Sequence, residues 1–207
     1  MNPIDVLPNP ELQARGDVSR IFLQKGIDTF HAACECVKSM PYGPNSDSAQ
    51  SLLLFSEGQG TCSTKHGAIA HLAREQALPV YKNLGFYQLN DTIVTGVSDI
   101  LQPYGLSFIP QIHCFLEYES YRVDLTEGNC NGKNQTIDDY DFVVRVQPDP
   151  SFEEKQSCYL EHLRRYFEFS PALKAVGEER VLEILEACDR QVKYQCSLMA
   201  DKLAVVF

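Results

Sequence analysis

The stretch QIHCFLEYESYRVDLTEG, residues 111–128, decides the fold class because it has the pattern of a β-hairpin. Aromatic and β-branched residues, which favour strands, lie on both sides of the polar pair Glu119–Ser120. The pattern predicts two adjacent antiparallel strands with their turn at this pair. Similar stretches predict further strands over residues 78–89 and 139–148.

Helices are predicted on both sides of these strands. Apolar residues recur at helical spacing over residues 17–39 and 62–76, and again over 151–169 and 175–200. Two helices, then antiparallel strands, then more helices is the order of an α+β fold. We therefore expect a core over residues 1–150 that includes an N-terminal helix, and a C-terminal helical extension over residues 151–207 packed on that core.

Composition and charge restrict the partners. The 207 residues carry a net charge of −10, without a basic stripe that could neutralise phosphates, so nucleic acid and anionic membranes are not expected as partners. The N-terminus lacks the pattern of a secretory signal, which favours a cytoplasmic protein whose eight cysteines stay reduced. No CxxC pair occurs, so a structural zinc site is not expected.

The hairpin also brings two titratable side chains close together. His113 on its first strand and Asp124 on its second lie two positions away from being directly opposed, an offset that a bulge or a shifted turn would close. Cys114 follows His113 on the same strand, where successive side chains point to opposite faces. Cys114 is therefore expected to face away from the site, and the two residues are poor joint metal ligands.

One cysteine of the chain is a candidate nucleophile that His113 and Asp124 could serve. In GQGTCSTKHGAIAHL, residues 58–72, Cys62 follows two glycines and opens a predicted helix. The helix dipole and the free N–H groups of a first turn favour a thiolate and can stabilise an oxyanion. The alternative is that Cys62 is a small buried core residue, as most free cysteines are.

A cysteine nucleophile needs a general base and a group that orients the base. Of the five histidines, His31, His71 and His162 lie within helical patterns and are expected to be surface or packing residues. His66 shares the helix face of Cys62 and stays open as a base. His113 with Asp124 meets both requirements, so Cys62, His113 and Asp124 are the candidate catalytic residues. Gln59 is a candidate donor to the oxyanion.

The order of these motifs resembles the transglutaminase-like superfamily of papain-type thiol enzymes. Cys62 begins a helix that ends in REQALPV, and the hairpin carries a histidine and an aspartate in the family's order, over about residues 25–128. In this resemblance Ala77–Val80 matches the Gly-Ile-Pro stretch, Glu117 the hairpin glutamate and Tyr121 the usual tryptophan. VKSMPYG, residues 37–43, matches the segment that precedes the cysteine loop.

The resemblance implies a papain-like core and a thioester mechanism without cofactor or metal. Ser63 stands where eukaryotic transglutaminases carry a tryptophan, and their calcium-binding acidic clusters have no counterpart. Cross-linking of proteins is therefore not implied, whereas amide hydrolysis or acyl transfer is. The expected substrate is a peptide, a protein side-chain amide or a small amide, and Gln59, Ser63 and Glu117 are the supporting residues.

Three other interpretations stay open. An arylamine N-acetyltransferase uses the same residue types in the same order with acetyl-CoA, although its histidine and aspartate lie further apart than the eleven residues here. An inactive transglutaminase-like module would keep the fold to bind a partner. The third is a protein with reduced thiols in which the order of Cys62, His113 and Asp124 is a coincidence. Sequence alone leaves the substrate and the oligomeric state open.

Overall fold

The computed structural model describes residues 2–126 and 136–204, with side chains up to residue 192. Within this part, eight α-helices and four β-strands form an α+β fold, which confirms the predicted class. The elements are α1 (Asp17–Gln24), α2 (Phe30–Ser39), α3 (Leu53–Glu57), α4 (Cys62–Glu75), β1 (Val80–Leu89), α5 (Val97–Leu101), β2 (Ile109–Tyr118), β3 (Tyr121–Val123), β4 (Phe142–Val146), α6 (Phe152–Phe169), α7 (Pro171–Val176) and α8 (Glu178–Ala204).

The four strands form one antiparallel sheet in the order β3-β2-β1-β4. The predicted hairpin is confirmed, because Tyr118 pairs with Tyr121 and leaves Glu119–Ser120 as the turn. Glu119 has a φ of 54°, the left-handed conformation that a two-residue hairpin turn demands. The register runs back along the strands through the pairs Glu117–Arg122 and Leu116–Val123.

Two helices replace the single helix predicted over residues 17–39. Gly26 adopts a φ of 75° just after α1, a conformation in which a helix cannot continue. The chain then runs extended, and Thr29 forms a bridge with Glu11 before its side chain caps α2 by accepting from the N–H of Ala32. The prediction was wrong here because periodicity alone does not detect a change of direction between two helices.

The chain divides into two compact units, of which the first comprises the described residues 2–84, 113–126 and 144–151. Its apolar core combines buried faces of α1, α2 and α4 with residues of the strands, among them Phe22, Phe30, Ile69, Leu72, Val80 and Leu116. At about 25 cal/mol per Å² of buried apolar surface, each such side chain contributes about 1.5–3 kcal/mol. This core holds α4 against the hairpin.

The second unit comprises the described residues 85–112, 136–143 and 152–204. The two helices predicted at the C-terminus are present as α6 and α8, and the short helix α7 lies between them in the chain. The ring of His162 on α6 stacks on Phe86 at 4.3 Å, and the Tyr159 hydroxyl donates to the carbonyl of Pro110 at 2.8 Å. The predicted boundary at residue 150, with residues 151–207 as an extension, stays a prediction.

Membrane-spanning helices were sought in the described part of the chain. None of its helices combines the length and the apolar character needed to cross a bilayer.

Candidate active site

The chain immediately before Cys62 is held by backbone bonds. Tyr42 forms a parallel bridge with Gly60, whose N–H donates to the carbonyl of Pro41 at 3.1 Å. A Cβ at Gly60 would lie 2.8 Å from the hydroxyl of Thr64, so a glycine is needed for this close approach. The loop therefore delivers Cys62 to the first position of α4, as predicted.

A buried lysine on β1 holds the first turn of α4 in place. The Nζ of Lys82 on β1 donates to the carbonyl of Ser63 at 2.8 Å and contacts its hydroxyl at 3.2 Å. The same ammonium donates to the carbonyl of Pro148 at 2.8 Å. Lys82 is 1% exposed, so these bonds are protected from water and fix the turn that carries Cys62.

His113 and Asp124 are brought together by the hairpin. The Nε2 of His113 lies 2.9 Å from Oδ2 of Asp124, and both side chains are buried. The other oxygen of Asp124 accepts from the N–H of Thr126 at 2.8 Å and from its hydroxyl at 2.5 Å. Both carboxylate oxygens are thus bonded, which orients the group that bonds the imidazole.

No bulge is needed to close the two-residue offset between His113 and Asp124. In the observed register Thr126 would stand opposite His113, and Asp124 lies diagonally from it. Diagonal neighbours on one face of an antiparallel pair are within reach of longer side chains. The backbone leaves the strand after Val123, which gives Asp124 the freedom to turn toward the imidazole.

Cys62 belongs to the same group of side chains, because His113 and Cys114 both shift the pKa of its thiol. Burial lowers the pKa of His113, but the Asp124 charge and the Cys62 thiol outweigh it and leave the pKa above its ordinary value. An imidazole bonded to a carboxylate thus interacts with the Cys62 thiol.

The protonation state of Cys62 differs from the expected one. The neighbouring Cys114 and burial raise the pKa of the Cys62 thiol to about 12, although His113 acts in the opposite direction. A position at a helix N-terminus predicted a lowered pKa, but desolvation of a thiolate outweighs the dipole here. At neutral pH the resting Cys62 is a thiol that needs a base to become a nucleophile.

The expectation that Cys114 faces away from the site stays a prediction. Cys114 is 3% exposed and has the largest effect among the causes that raise the pKa of Cys62. The ring of His113 lies 6.1 Å from the ring of His66, so His113 is turned toward α4.

His66 ties the helix of Cys62 to the segment that carries Asp124. Its Nδ1 lies 2.7 Å from the carbonyl of Cys62, and its Nε2 accepts from the N–H of Leu125 at 2.8 Å. These two bonds require a neutral ring with the proton on Nδ1. Burial lowers the pKa of His66 to about 3, so the ring stays neutral although Oδ1 of Asp124 lies 3.5 Å from Nε2. His66 is thereby committed to structure and is not the base.

Lys65 adds a second buried amine to the same helix turn. Its Nζ donates to the carbonyl of Lys38 at 3.2 Å and to that of Met40 at 2.5 Å. Burial lowers the pKa of Lys65 to about 8, while the charge of Asp124 raises it. The carboxylate of Asp124 is thus stabilised by a nearby amine as well as by its hydrogen bonds.

The supporting residues proposed from sequence have other contacts. The amide nitrogen of Gln59 donates to the carbonyl of Pro44 at 2.8 Å, and the hydroxyl of Ser63 is bonded to Lys82. Glu117 forms an ion pair with Arg145 at 2.9 Å. Tyr121, which takes the tryptophan position in the resemblance, is 51% exposed beside the hairpin turn.

Chemically, the site is equipped for nucleophilic catalysis. A thiol faces an imidazole, and the imidazole is oriented by a fully bonded carboxylate, which is the arrangement that a general base needs. The orphan N–H groups of the first turn of α4 lie beside the thiol. Among the described side chains, no group of three or more His, Cys, Asp or Glu residues is arranged to hold a metal ion.

Sequence reasoning missed Cys114, Thr126 and the two buried lysines. Thr126 had a detectable signal, because a threonine two residues after an aspartate commonly bonds its carboxylate. Lys82 and Lys65 had none, since lysine is ordinarily a surface residue and nothing in the spacing marks it as buried. Comparison of the chain with protein-family models, with curated proteins and with solved structures found no match.

Proposed function

We propose that the chain is a transglutaminase-like cysteine enzyme that attacks an amide or related acyl carbonyl with Cys62 and passes through a thioester. The single observation that carries the proposal is the buried bond of 2.9 Å between His113 and Asp124, in which the same His113 lowers the pKa of the Cys62 thiol. All three residues belong to the first compact unit. Three residue types needed for thiol catalysis thus meet although they come from distant parts of the sequence.

In this mechanism His113 acts as a general base while Cys62 attacks. The thiol, with its pKa of about 12, gives its proton to the His113 imidazole as the carbon–sulfur bond forms. Asp124 stabilises the imidazolium, and Thr126 holds Asp124 in place. The imidazolium then protonates the leaving amine, which departs and leaves the thioester on Cys62.

The second half of the reaction uses the same base. His113 removes a proton from water or from an acceptor amine, whose attack on the thioester regenerates the Cys62 thiol. The oxyanion formed in each half is stabilised by the N–H groups at the start of α4, which the bonds from Lys82 to Ser63 keep in position. Water as acceptor gives amide hydrolysis, and an amine gives acyl transfer.

The test is covalent trapping with p-nitrophenyl acetate. The purified full chain should acquire one acetyl group, located on Cys62 by peptide mapping, with a burst of p-nitrophenolate. Cys36 is the internal control, because it is also a half-buried thiol with a raised pKa and has no bond to an imidazole among the described residues. Acetylation of Cys62 no faster than that of Cys36 would contradict the proposal.

The same experiment separates the alternatives. Release of the acetyl group by water alone indicates a hydrolase, and faster release with added butylamine indicates an acyltransferase. Acetyl-CoA as the only effective donor would support an arylamine N-acetyltransferase-like enzyme. A folded protein that never acetylates Cys62 would support the inactive binding module, which the high thiol pKa favours as the second candidate.

A further inference from the structure

One asparagine side chain bonds the backbone on both sides of Cys62. The Nδ2 of Asn45 donates to the carbonyl of Gln59 at 2.8 Å and to Oε2 of Glu57 at 2.8 Å. Its Oδ1 accepts from the hydroxyl of Thr64 at 2.7 Å. Asn45 therefore joins the loop that precedes the thiol to the helix turn that follows it.

The orientation of the Asn45 amide follows from its partners. A carbonyl and a carboxylate can only accept, so the amide nitrogen must face Gln59 and Glu57. Hydrogen bonds from Ser46 and Asn45 lower the pKa of Glu57, which keeps it a carboxylate. The amide oxygen is left for the hydroxyl of Thr64, which donates to it. An asparagine satisfies this set of partners, whereas an aspartate of the same shape does not.

The residues on either side of Asn45 are bonded to the same loop. The carbonyl of Pro44 accepts from the side-chain amide of Gln59 at 2.8 Å. The N–H of Ser46 donates to Oε1 of Glu57 at 3.2 Å, and its hydroxyl donates to the same oxygen at 2.5 Å. These bonds hold Asn45 in place, and they commit the Gln59 amide to the loop instead of to an oxyanion.

The bond to Thr64 continues into the backbone beside Cys62. The Thr64 oxygen donates its hydrogen to Asn45 and accepts from the N–H of Thr61 at 3.0 Å. Thr64 is fully buried, and Thr61 is the N-cap residue of α4. Two hydrogen bonds in series therefore connect Asn45 to the residue immediately before the thiol.

The usual side-chain cap of α4 is not formed. A threonine at an N-cap ordinarily accepts from an N–H of the first helical turn through its hydroxyl. Thr61 makes no such bond, and its buried hydroxyl has no partner in the part of the chain that the structure describes. The cap residue therefore leaves the N–H groups of the first turn unoccupied, and the position of the turn depends on other bonds.

We propose that Asn45 is a positioning residue that takes the place of this cap, so that the first turn of α4 is held while its N–H groups stay open to an oxyanion. A side-chain cap and an oxyanion compete for the same N–H groups, and a bond from outside the helix removes that competition. The inference rests on the proposed function, because the oxyanion arises when Cys62 attacks an acyl carbonyl. Asn45 acts through Gln59 and Thr64 and not on the acyl group itself.

The test compares two reactions of Cys62 in the purified full chain. Acetylation by p-nitrophenyl acetate passes through an oxyanion, whereas alkylation by iodoacetamide displaces iodide without forming one. Both reactions use the same thiol and the same base, so the ratio of their rates reports on the N–H groups. Asn45→Ala should slow acetylation by about tenfold to 100-fold, the cost of a misplaced group. Alkylation should slow by less than about threefold, because no oxyanion needs stabilising.

Asn45→Asp tests the two donor bonds. This variant keeps the shape of the side chain and an oxygen for Thr64, but it places a carboxylate against Glu57 and the carbonyl of Gln59. Acetylation should therefore fall at least as far as in Asn45→Ala. The double variant Asn45→Asp with Glu57→Gln restores one pair of donor and acceptor and should recover part of the rate.

Asn90 is the matched control. Its Oδ1 accepts from the hydroxyl of Thr92 at 2.6 Å and its Nδ2 donates to the carbonyl of Gln88 at 3.4 Å, a similar set of bonds within the second unit. Asn90→Ala should keep both rates. Hydrogen exchange at the Thr61 N–H should be faster in Asn45→Ala than in wild type, while the amides at the far end of α4 keep their protection.

The outcomes separate this proposal from the proposed function. Equal losses of acetylation and alkylation in Asn45→Ala, or no loss of either, overturn the positioning role and leave the enzyme standing. A wild-type chain that acetylates Cys62 no faster than Cys36 removes the enzyme and the positioning role with it. Thr64→Val breaks the connection between Asn45 and the N-cap without changing the side-chain shape. It should lower the same ratio, and it gives the decision if Asn45→Ala does not fold.

Discussion

Two histidine–aspartate pairs in the first unit have almost the same distance between imidazole and carboxylate, but their surroundings differ. His113 lies 2.9 Å from Asp124, with side chains 5% and 9% exposed. His71, on the far end of the helix that begins with Cys62, lies 3.0 Å from Asp149, with side chains 20% and 23% exposed. The distance between imidazole and carboxylate therefore does not distinguish a catalytic pair from a structural one.

The surroundings of the ring make the difference. Nδ1 of His71 accepts from the guanidinium of Arg74 at 2.7 Å, whereas His113 interacts with the Cys62 thiol and lowers its pKa. Asp149 also accepts from the N–H and the hydroxyl of Ser51, both at 3.1 Å. His71 thus has no free lone pair for a substrate proton, and its pair holds a loop in place.

The largest expected effect separates the two histidines directly. His113→Ala should slow acetylation of Cys62 by about 100-fold to 10,000-fold, the usual contribution of a general base. His71→Ala, measured where the protein stays folded, should change the rate less than twofold. Rates come from the p-nitrophenolate burst. Equal losses in both variants would show that the surroundings of the ring do not distinguish the two pairs.

The carboxylates should differ in the pH profile. Asp124→Asn removes a charge-assisted hydrogen bond worth about 1.5–3 kcal/mol, which corresponds to roughly a tenfold to hundredfold lower rate. Acylation of the wild type should rise with pH as His113 loses its proton, because only the neutral ring accepts one. Asp124 raises the pKa of His113, so the midpoint should move to lower pH in Asp124→Asn. Asp149→Asn is the matched control and should keep the wild-type midpoint.

A third histidine tests the same idea through stability. His66 has both nitrogens bonded and a pKa of about 3 in the folded protein, against an ordinary value of 6.5. The unfolded state then binds a proton that the folded state does not, so the free energy of unfolding falls as the pH drops below 6.5. Its contribution is about 1.4 kcal/mol per pH unit, or roughly 2 kcal/mol between pH 6.5 and about pH 5.

Urea unfolding at these two pH values measures that contribution. His66→Gln should lose most of the pH dependence, and His71→Gln should retain it. An unchanged slope in His66→Gln would mean that His66 is not the group that titrates between the folded and unfolded states.

The smallest expected effect concerns the ion pair of Glu117 with Arg145. Arg145 is 55% exposed, so Glu117→Ala should lower the free energy of unfolding by only about 0.2–1 kcal/mol. Acetylation of Cys62 should be unaffected, with Arg145→Ala behaving alike. A tenfold loss of rate in Glu117→Ala alone would instead place this glutamate in the chemistry.

Local pattern predicted the elements that depend on local chemistry. The hairpin turn at Glu119–Ser120 and the start of α4 at Cys62 were both confirmed, because turn residues and strand or helix formers flank them directly. The break at Gly26 and the short helix α5 were not predicted. One glycine is compatible with a helix, and five residues are too few for periodicity to show.

The part of the site that depends on the pairing register of β2 and β3 was predictable. Counting from the turn predicted that His113 lies near Asp124. The two side chains then reach each other diagonally across the two strands. Cys114 and Lys82 were not predictable, because their roles depend on where α4 begins relative to the sheet, which is a tertiary relation. The rise of the Cys62 pKa has the same origin, since burial is not written in local sequence.

The bond from the Leu125 N–H to His66 makes that amide a built-in reporter. Hydrogen exchange at Leu125 requires α4 to separate from the strand end, so its protection measures the opening that would also dismantle Cys62, His113 and Asp124. Acid gives the Leu125 amide a second signal. Protonation of His66 turns Nε2 from an acceptor into a donor, so that its N–H and the N–H of Leu125 repel each other. A single backbone resonance would therefore show whether the site is assembled, without any substrate.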